Sequence, residues 1–196
     1  MTSRLYIFAK APVLGKAKTR LAADIGEVEA LRLYRAMMSA VIINAQNAAW
    51  TTILAAADPK SIGNVPEWED LPQIAQVEGS LSPRLAELFK GTGPIIVIGT
   101  DCPQVRASDI ADALKALETH DVVFGPADDG GFWLIGMNGP VEPSVFDNVR
   151  WSHAETLSDM QANIEGSIHR LRTLIDVDNL AALEAVKALD PSWLPQ

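Results

Sequence analysis

Pro94-Ile95-Ile96-Val97-Ile98-Gly99-Thr100-Asp101-Cys102-Pro103 is the stretch whose reading decides the fold. Its first half is a continuous apolar run without polar alternation, the pattern of a strand covered on both faces and expected at the centre of a largely parallel sheet. Its second half breaks into Gly, Thr, Asp and Pro, so the strand ends abruptly and leaves a carboxylate at its tip. Working outward, short β-branched runs alternate with longer helical patterns, the rhythm of an α/β chain.

Upstream, Leu5-Tyr6-Ile7-Phe8 reads as a buried first strand that opens into a cationic loop over residues 9–20. Leu31, Tyr34, Met38, Val41 and Ala45 recur at helical spacing and predict one long helix over about residues 28–48. A second strand is expected over 51–57, stopped by Asp58-Pro59. Residues 61–72 are irregular, 73–77 suit a third strand, and a short helix should start at Ser82 and run over 83–89. Downstream, Ser108 is placed to cap a helix reaching about residue 117. Strands follow over 121–124 and 132–135, and Ser152 with Glu155 suggests a capping box for a helix to about 164. A last strand over 171–177 and a last helix over 180–189 complete the pattern. No repeat or linker interrupts it, so residues 1–196 are expected to form one domain.

Composition narrows the partners. The formal net charge of −9 disfavours nucleic acid and anionic membranes, which reward basic surfaces. Any phosphate must therefore be captured by a local basic cluster. Cys102 is the single cysteine, which excludes an internal disulfide and a cysteine-based zinc site. His120, His153 and His169 lack metal-like spacing, and Cys102 has no neighbouring histidine to make it a nucleophile. Residues 1–8 do not suit a signal peptide, and no apolar run reaches the ~18–20 residues of a membrane span. The expected address is the cytoplasm. Oligomeric state is open, with Trp50, Trp68 and Trp193 as candidates for exposed contacts.

Four groups of residues carry chemistry. Lys10, Lys16, Lys18 and Arg20 surround Pro12 and Gly15 directly after the first strand, where ligands of open α/β sheets sit. The loop is neither a Walker A motif nor a GxGxxG turn. Asp101 ends the central strand and can hold Mg²⁺ or Mn²⁺, which take oxygen ligands. Asp176 and Asp178 are spaced to share one face of a strand, although Asp178 could equally cap the helix that follows. Residues 125–136 put Asp128 and Asp129 among glycines ahead of Phe132-Trp133, as in a turn that approaches a ligand.

Phe8 through Leu21, Arg84-Leu85, Ile98 through Pro103, Gly125 through Gly136, Trp151 and Asp176-Val177-Asp178 together resemble a bacterial glycosyltransferase-like family. That family is related to nucleotide-diphospho-sugar transferases of the GT-A fold, is also similar to guanylyltransferases acting on phospholactate or phosphoenolpyruvate and is more distantly similar to the molybdenum-cofactor guanylyltransferase. The resemblance implies a three-layer α/β/α, Rossmann-like fold with a mostly parallel mixed sheet. It puts Ala9, Lys10, Pro12, Gly15, Lys16, Lys18, Arg20, Arg84 and Thr100 around a nucleotide. It puts Mg²⁺ or Mn²⁺ on Asp101, Asp176 and Asp178. Lys16 and Arg20 would stabilise charge on the leaving phosphate, and Asp129 would orient or deprotonate a small acceptor. The expected activity is glycosyl transfer from a nucleoside-diphosphate donor. Guanylyl transfer to a small phosphorylated acceptor, with release of pyrophosphate, uses the same residues. The family's usual Gly-Asp-Leu-Gly is here Gly79-Ser80-Leu81-Ser82, and that change motivates a third reading, a non-catalytic nucleotide-binding protein.

Overall fold

The computed structural model describes residues 2–194. The run at 94–98 forms strand β4 (Gly93–Ile98) and does sit at the centre of a sheet. On one side it pairs in parallel with β1 (Ser3–Ala9), which pairs in parallel with β2 (Trp50–Ala56), which pairs in parallel with β3 (Gln73–Ala75). On the other side it pairs antiparallel with β6 (Phe132–Gly139). Next come β5 (Val122–Pro126), antiparallel to β6, and β7 (Ile168–Arg170), parallel to β5. The order β3-β2-β1-β4-β6-β5-β7 makes one seven-stranded mixed sheet with a single reversed strand, β6.

Strand alternation divides the core into two clusters. Leu5, Ile7, Ile96 and Ile98 face one way, against α2 (Glu27–Ala45), α4 (Ala107–Ala116) and α6 (Leu180–Leu189). Tyr6, Ile95 and Val97 face the other way, against α3 (Leu81–Leu88) and α5 (Thr156–Ala162). That is the three-layer α/β/α arrangement expected from the sequence. No helix among the described residues is long and apolar enough to cross a membrane.

Several local expectations are corrected. The loop after β1 closes earlier than expected, in a short helix α1 (Thr19–Ile25) that carries Arg20. It begins after Lys18, whose φ of 51° is left-handed, and Gly26 at φ 86° separates it from α2. Ser108 lies inside α4. The cap is made at Arg106, whose backbone N–H donates to Asp109 Oδ2 at 2.8 Å. Ser152 sits at φ 57° and cannot cap α5, which starts four residues later. The strand expected over 171–177 is displaced to 168–170. Beyond β7 the chain stays extended but bonds at separate points, among them Leu171 N to Phe124 O, Leu174 N to Pro126 O, Asp128 N to Leu174 O and Val177 N to Asp101 O. Trp50, Trp68 and Trp193 are all buried, against the expectation that some would be exposed. The indoles of Trp50 and Trp68 donate to Ala45 O and Met38 Sδ, so burial leaves neither ring nitrogen unpaired.

Side chains hold the irregular segment from 171 onward in place. Arg172 donates from Nε and Nη2 to Asp109 at 2.7 Å each. Gln104 brackets Ile175, donating to its carbonyl and accepting from its N–H. Asp109→Ala is expected to lower unfolding stability by about 2 kcal/mol, because it removes charge-assisted bonds to a buried carboxylate. Chemical denaturation of the wild-type and substituted proteins checks this.

Candidate functional site

β1 and β4 run in parallel and end together at Ala9 and Ile98, so the segments leaving them flank one opening. A cavity of about 550 Å³ lies there. Two residues of α2 fix the cationic loop against it. Tyr34 Oη donates to Lys10 O at 2.9 Å and meets Thr100 Oγ1 at 3.4 Å, joining the exits of both strands. Arg35 Nη2 lies 3.4 Å from Pro12 O. Gly15 turns the loop at φ +71°, a conformation that a side chain would strain.

The carboxylates arrive by a different route. Val177 N donates to Asp101 O at 3.0 Å, which clips the extended C-terminal segment beside the end of β4. Asp178 N then donates to Asp176 O at 3.1 Å, so a tight turn brings the two acids together instead of a strand pleat. Asn179 caps α6 by accepting from Ala182 N at 3.0 Å. Asp178 is thereby left free of the capping role that the sequence could not exclude.

All three carboxylates converge on one atom, Lys18 Nζ. It stands 2.8 Å from Asp101 Oδ1, 3.4 Å from Asp178 Oδ1 and 3.8 Å from Asp176 Oδ1. Arg20 Nη1 pairs with the other oxygen of Asp178 at 3.1 Å. Burial opposes the charge of Lys18, but the three carboxylates outweigh it and hold its pKa above the ordinary lysine value. The balance runs the other way at Asp176. Burial, and then the charge of Asp101, push its carboxyl up to about 7 despite Lys18.

Of the residues singled out by sequence, Ala9, Lys10, Lys16, Lys18, Arg20, Arg84, Thr100, Asp101 and Asp178 line the cavity. Pro12 and Gly15 shape the loop without lining it, and Asp176 stands behind Asp178. Asp129 is exposed and does not line the cavity; its Oδ1 accepts from Gly131 N at 2.9 Å. Its neighbour Asp128 accepts from Asp176 N at 3.0 Å, which ties the glycine-rich turn to the acid cluster. Tyr34 and Gln76 are among the lining residues that were not foreseen as part of the site. Tyr34 carried only a helix-spacing signal, and Gln76 carried no signal at all. Gln76 donates to Ala55 O and accepts from Arg84 Nη1 at 3.0 Å, while Arg84 Nε is buried without a partner.

This fold is that of the nucleotide-diphospho-sugar transferases. A Desulfovibrio desulfuricans protein described as a "putative nucleotide-diphospho-sugar transferase" superposes with a TM-score of 0.88 at 24% identity, over 98% of this chain and 89% of that one. CMP:2-keto-3-deoxy-manno-octonic acid synthetase complexed with CTP gives a TM-score of 0.55 at 16% identity, over 96% and 98%. Rv0371c of Mycobacterium tuberculosis, in complex with manganese, gives 0.57 at 14% identity, over 94% and 98%. The chain belongs to a family of bacterial proteins described as uncharacterized and conserved in bacteria (DUF2064), whose model matches residues 38–153. No curated protein matches it significantly in sequence.

Separate roles for Asp178 and Asn179 give a direct test. Asn179→Ala is expected to cost about 1 kcal/mol through loss of the cap. Asp178→Asn should leave helix α6 capped and lose only the pairing with Lys18 and Arg20. Urea unfolding of the two variants distinguishes them.

Proposed function

We propose that this protein is a nucleotide-using transferase that moves a sugar from a nucleoside-diphosphate donor to a small acceptor with the aid of Mg²⁺ or Mn²⁺. The observation that carries the reading is a cavity at the carboxyl ends of β1 and β4 lined both by the cations Lys16 and Arg20 and by the carboxylates Asp101 and Asp178, with Arg20 and Asp178 in contact at 3.1 Å. Ligands of open α/β sheets sit at such a place. The likeness to a CTP-bound synthetase and a manganese-bound protein supports nucleotide use with a divalent ion, which this reading shares with nucleotidyl transfer.

The donor set suits a hard divalent cation. Asp101, Asp176 and Asp178 offer only carboxylate oxygens and already converge on one positive atom. Among the described residues no group of three or more Asp, Glu, His or Cys is arranged to hold a metal by itself. Asp101 and Asp178 would therefore hold the ion together with the donor's own phosphate oxygens, as Mg²⁺ sites commonly do. When bound, the ion supplies neutralisation of the donor diphosphate. Lys16 and Arg20, both exposed on the cavity wall, stabilise the charge that develops on the departing diphosphate. Arg84, Thr100, Ala9 and Lys10 bound the remaining space for the nucleotide. Asp129, expected from the sequence to act on the acceptor, does not line the cavity, and no acceptor role is assigned to it. With its acidic surface and local cation cluster, the protein works in the cytoplasm on small molecules.

A second reading is nucleotidyl transfer, in which an acceptor phosphate attacks the α-phosphorus of a nucleoside triphosphate and pyrophosphate leaves. It is favoured by the convergence of Asp176 with Asp101 and Asp178, since such chemistry often uses two cations. Products separate the two: pyrophosphate from a triphosphate, or a nucleoside diphosphate from a sugar donor.

A thermal-shift screen of nucleoside triphosphates and nucleotide sugars, with and without Mn²⁺, tests the common ground. A ligand at 100 times its dissociation constant should stabilise the protein by about 2.7 kcal/mol. Asp101→Ala should remove the metal-dependent part of the shift while the protein stays folded. Absence of any nucleotide effect with either Mg²⁺ or Mn²⁺ would overturn the proposal.

A further inference from the structure

We infer that Lys18 is the internal occupant of the cation position, displaced by the divalent ion and turned toward the donor phosphates when that ion binds. The inference rests on the metal-dependent reading above and assigns the one loop cation whose role that reading leaves open.

Geometry sets Lys18 apart from its neighbours. Its side chain is 4% exposed, whereas that of Arg20 is 77% exposed. Lys10 and Lys16 are exposed on the loop. Among the described residues only Lys18 reaches all three carboxylates. An ammonium held within 2.8 Å of Asp101 and 3.4 Å of Asp178 covers the oxygens that a metal would need. Two cations cannot share those oxygens without strong repulsion, so the ion and the Lys18 ammonium exclude each other.

Charge and mobility favour exchange. One ammonium offsets the converging carboxylates only in part, and a dication in its place offsets them more fully. The carboxylate side chains of Asp101 and Asp178 are 43% and 42% exposed, so an ion with its waters can approach from the cavity side. The lysine stem is flexible, and its head can swing while the backbone stays fixed. Lys18 itself lines the cavity between Lys16 and Arg20, so its displaced head joins the phosphate-facing cations. Metal entry thus adds two positive features to the cavity at once, the ion and the released ammonium. Without metal, the same lysine keeps three converging carboxylates from repelling one another.

The test uses Mn²⁺ alone, with no nucleotide, titrated into the full chain by calorimetry. Lys18→Met should bind Mn²⁺ at least about tenfold tighter than the wild type, since no internal cation has to leave. Equal or weaker binding by the variant, with Mn²⁺ still bound by the wild type, overturns the inference and leaves the metal reading standing. Binding to neither protein overturns both. Should Lys18→Met fail to fold, acetylation of wild-type lysines followed by peptide mass spectrometry decides. Mg²⁺ should speed modification of Lys18 several-fold and leave the exposed Lys115 unchanged. A Lys18 rate that Mg²⁺ leaves unchanged or slows overturns the inference.

Discussion

One ammonium group holds this site together. Lys18 comes from the loop after the first strand, Asp101 from the end of the central strand, and Asp176 and Asp178 from near the C-terminus. A charge can be buried only when it is paired, and this one is paired three times. The pairing complements the backbone bond from Val177 N to Asp101 O, which brings the C-terminal segment to the tip of β4. Without the ammonium, three carboxylates would face one another at the edge of the sheet. With it, a raised Lys18 and a raised Asp176 coexist, because one cation only partly offsets three acids.

The arrangement also gives so acidic a chain a local cluster of cations for the phosphate proposed above. Its net charge of −9 is no obstacle when the parallel strands β1 and β4 aim a short basic loop into one cavity. Tyr34 and Arg35 of α2 keep that loop in place. The mixed sheet matters here as well. The reversed strand β6 lies next to β4, and the turn that feeds it carries Asp128 to the backbone of Asp176. Three distant segments are therefore locked to each other by directional bonds, and the acids are positioned by backbone contacts before any ligand arrives.

Much of this was legible in the sequence where a pattern was local and strong. The apolar run of β4 and helix α6 at 180–189 were read at nearly their true bounds, since one is continuous and the other has a clean helical period. Residues 171–177 look like a strand because Leu171, Leu174, Ile175 and Val177 are apolar, yet neighbouring segments offer only isolated acceptors. Ser108 and Ser152 are good capping residues by type, but capping depends on backbone angles that composition does not reveal. Trp50 and Trp68 are buried with acceptors that the sequence does not reveal, Ala45 O and Met38 Sδ, whereas Trp193 is buried with its ring nitrogen unpaired. The basic loop and the acids were marked as separate groups, and the fold joins them through direct ion pairs that the sequence did not indicate. Nothing in the sequence separated Lys18 from Lys16 and Arg20, because the left-handed turn at Lys18 and the clip at Val177 are products of the fold.

The central claim is that Asp101 and Asp178 hold a cation while Lys16 and Arg20 of the adjoining basic loop hold phosphate. Anomalous diffraction from crystals grown with Mn²⁺ and a nucleoside diphosphate tests it most directly. The account predicts one manganese peak against Asp101 and Asp178, with the diphosphate lying between it and Lys16 and Arg20. A nucleotide bound away from this cavity, or manganese bound elsewhere on the protein, would contradict it.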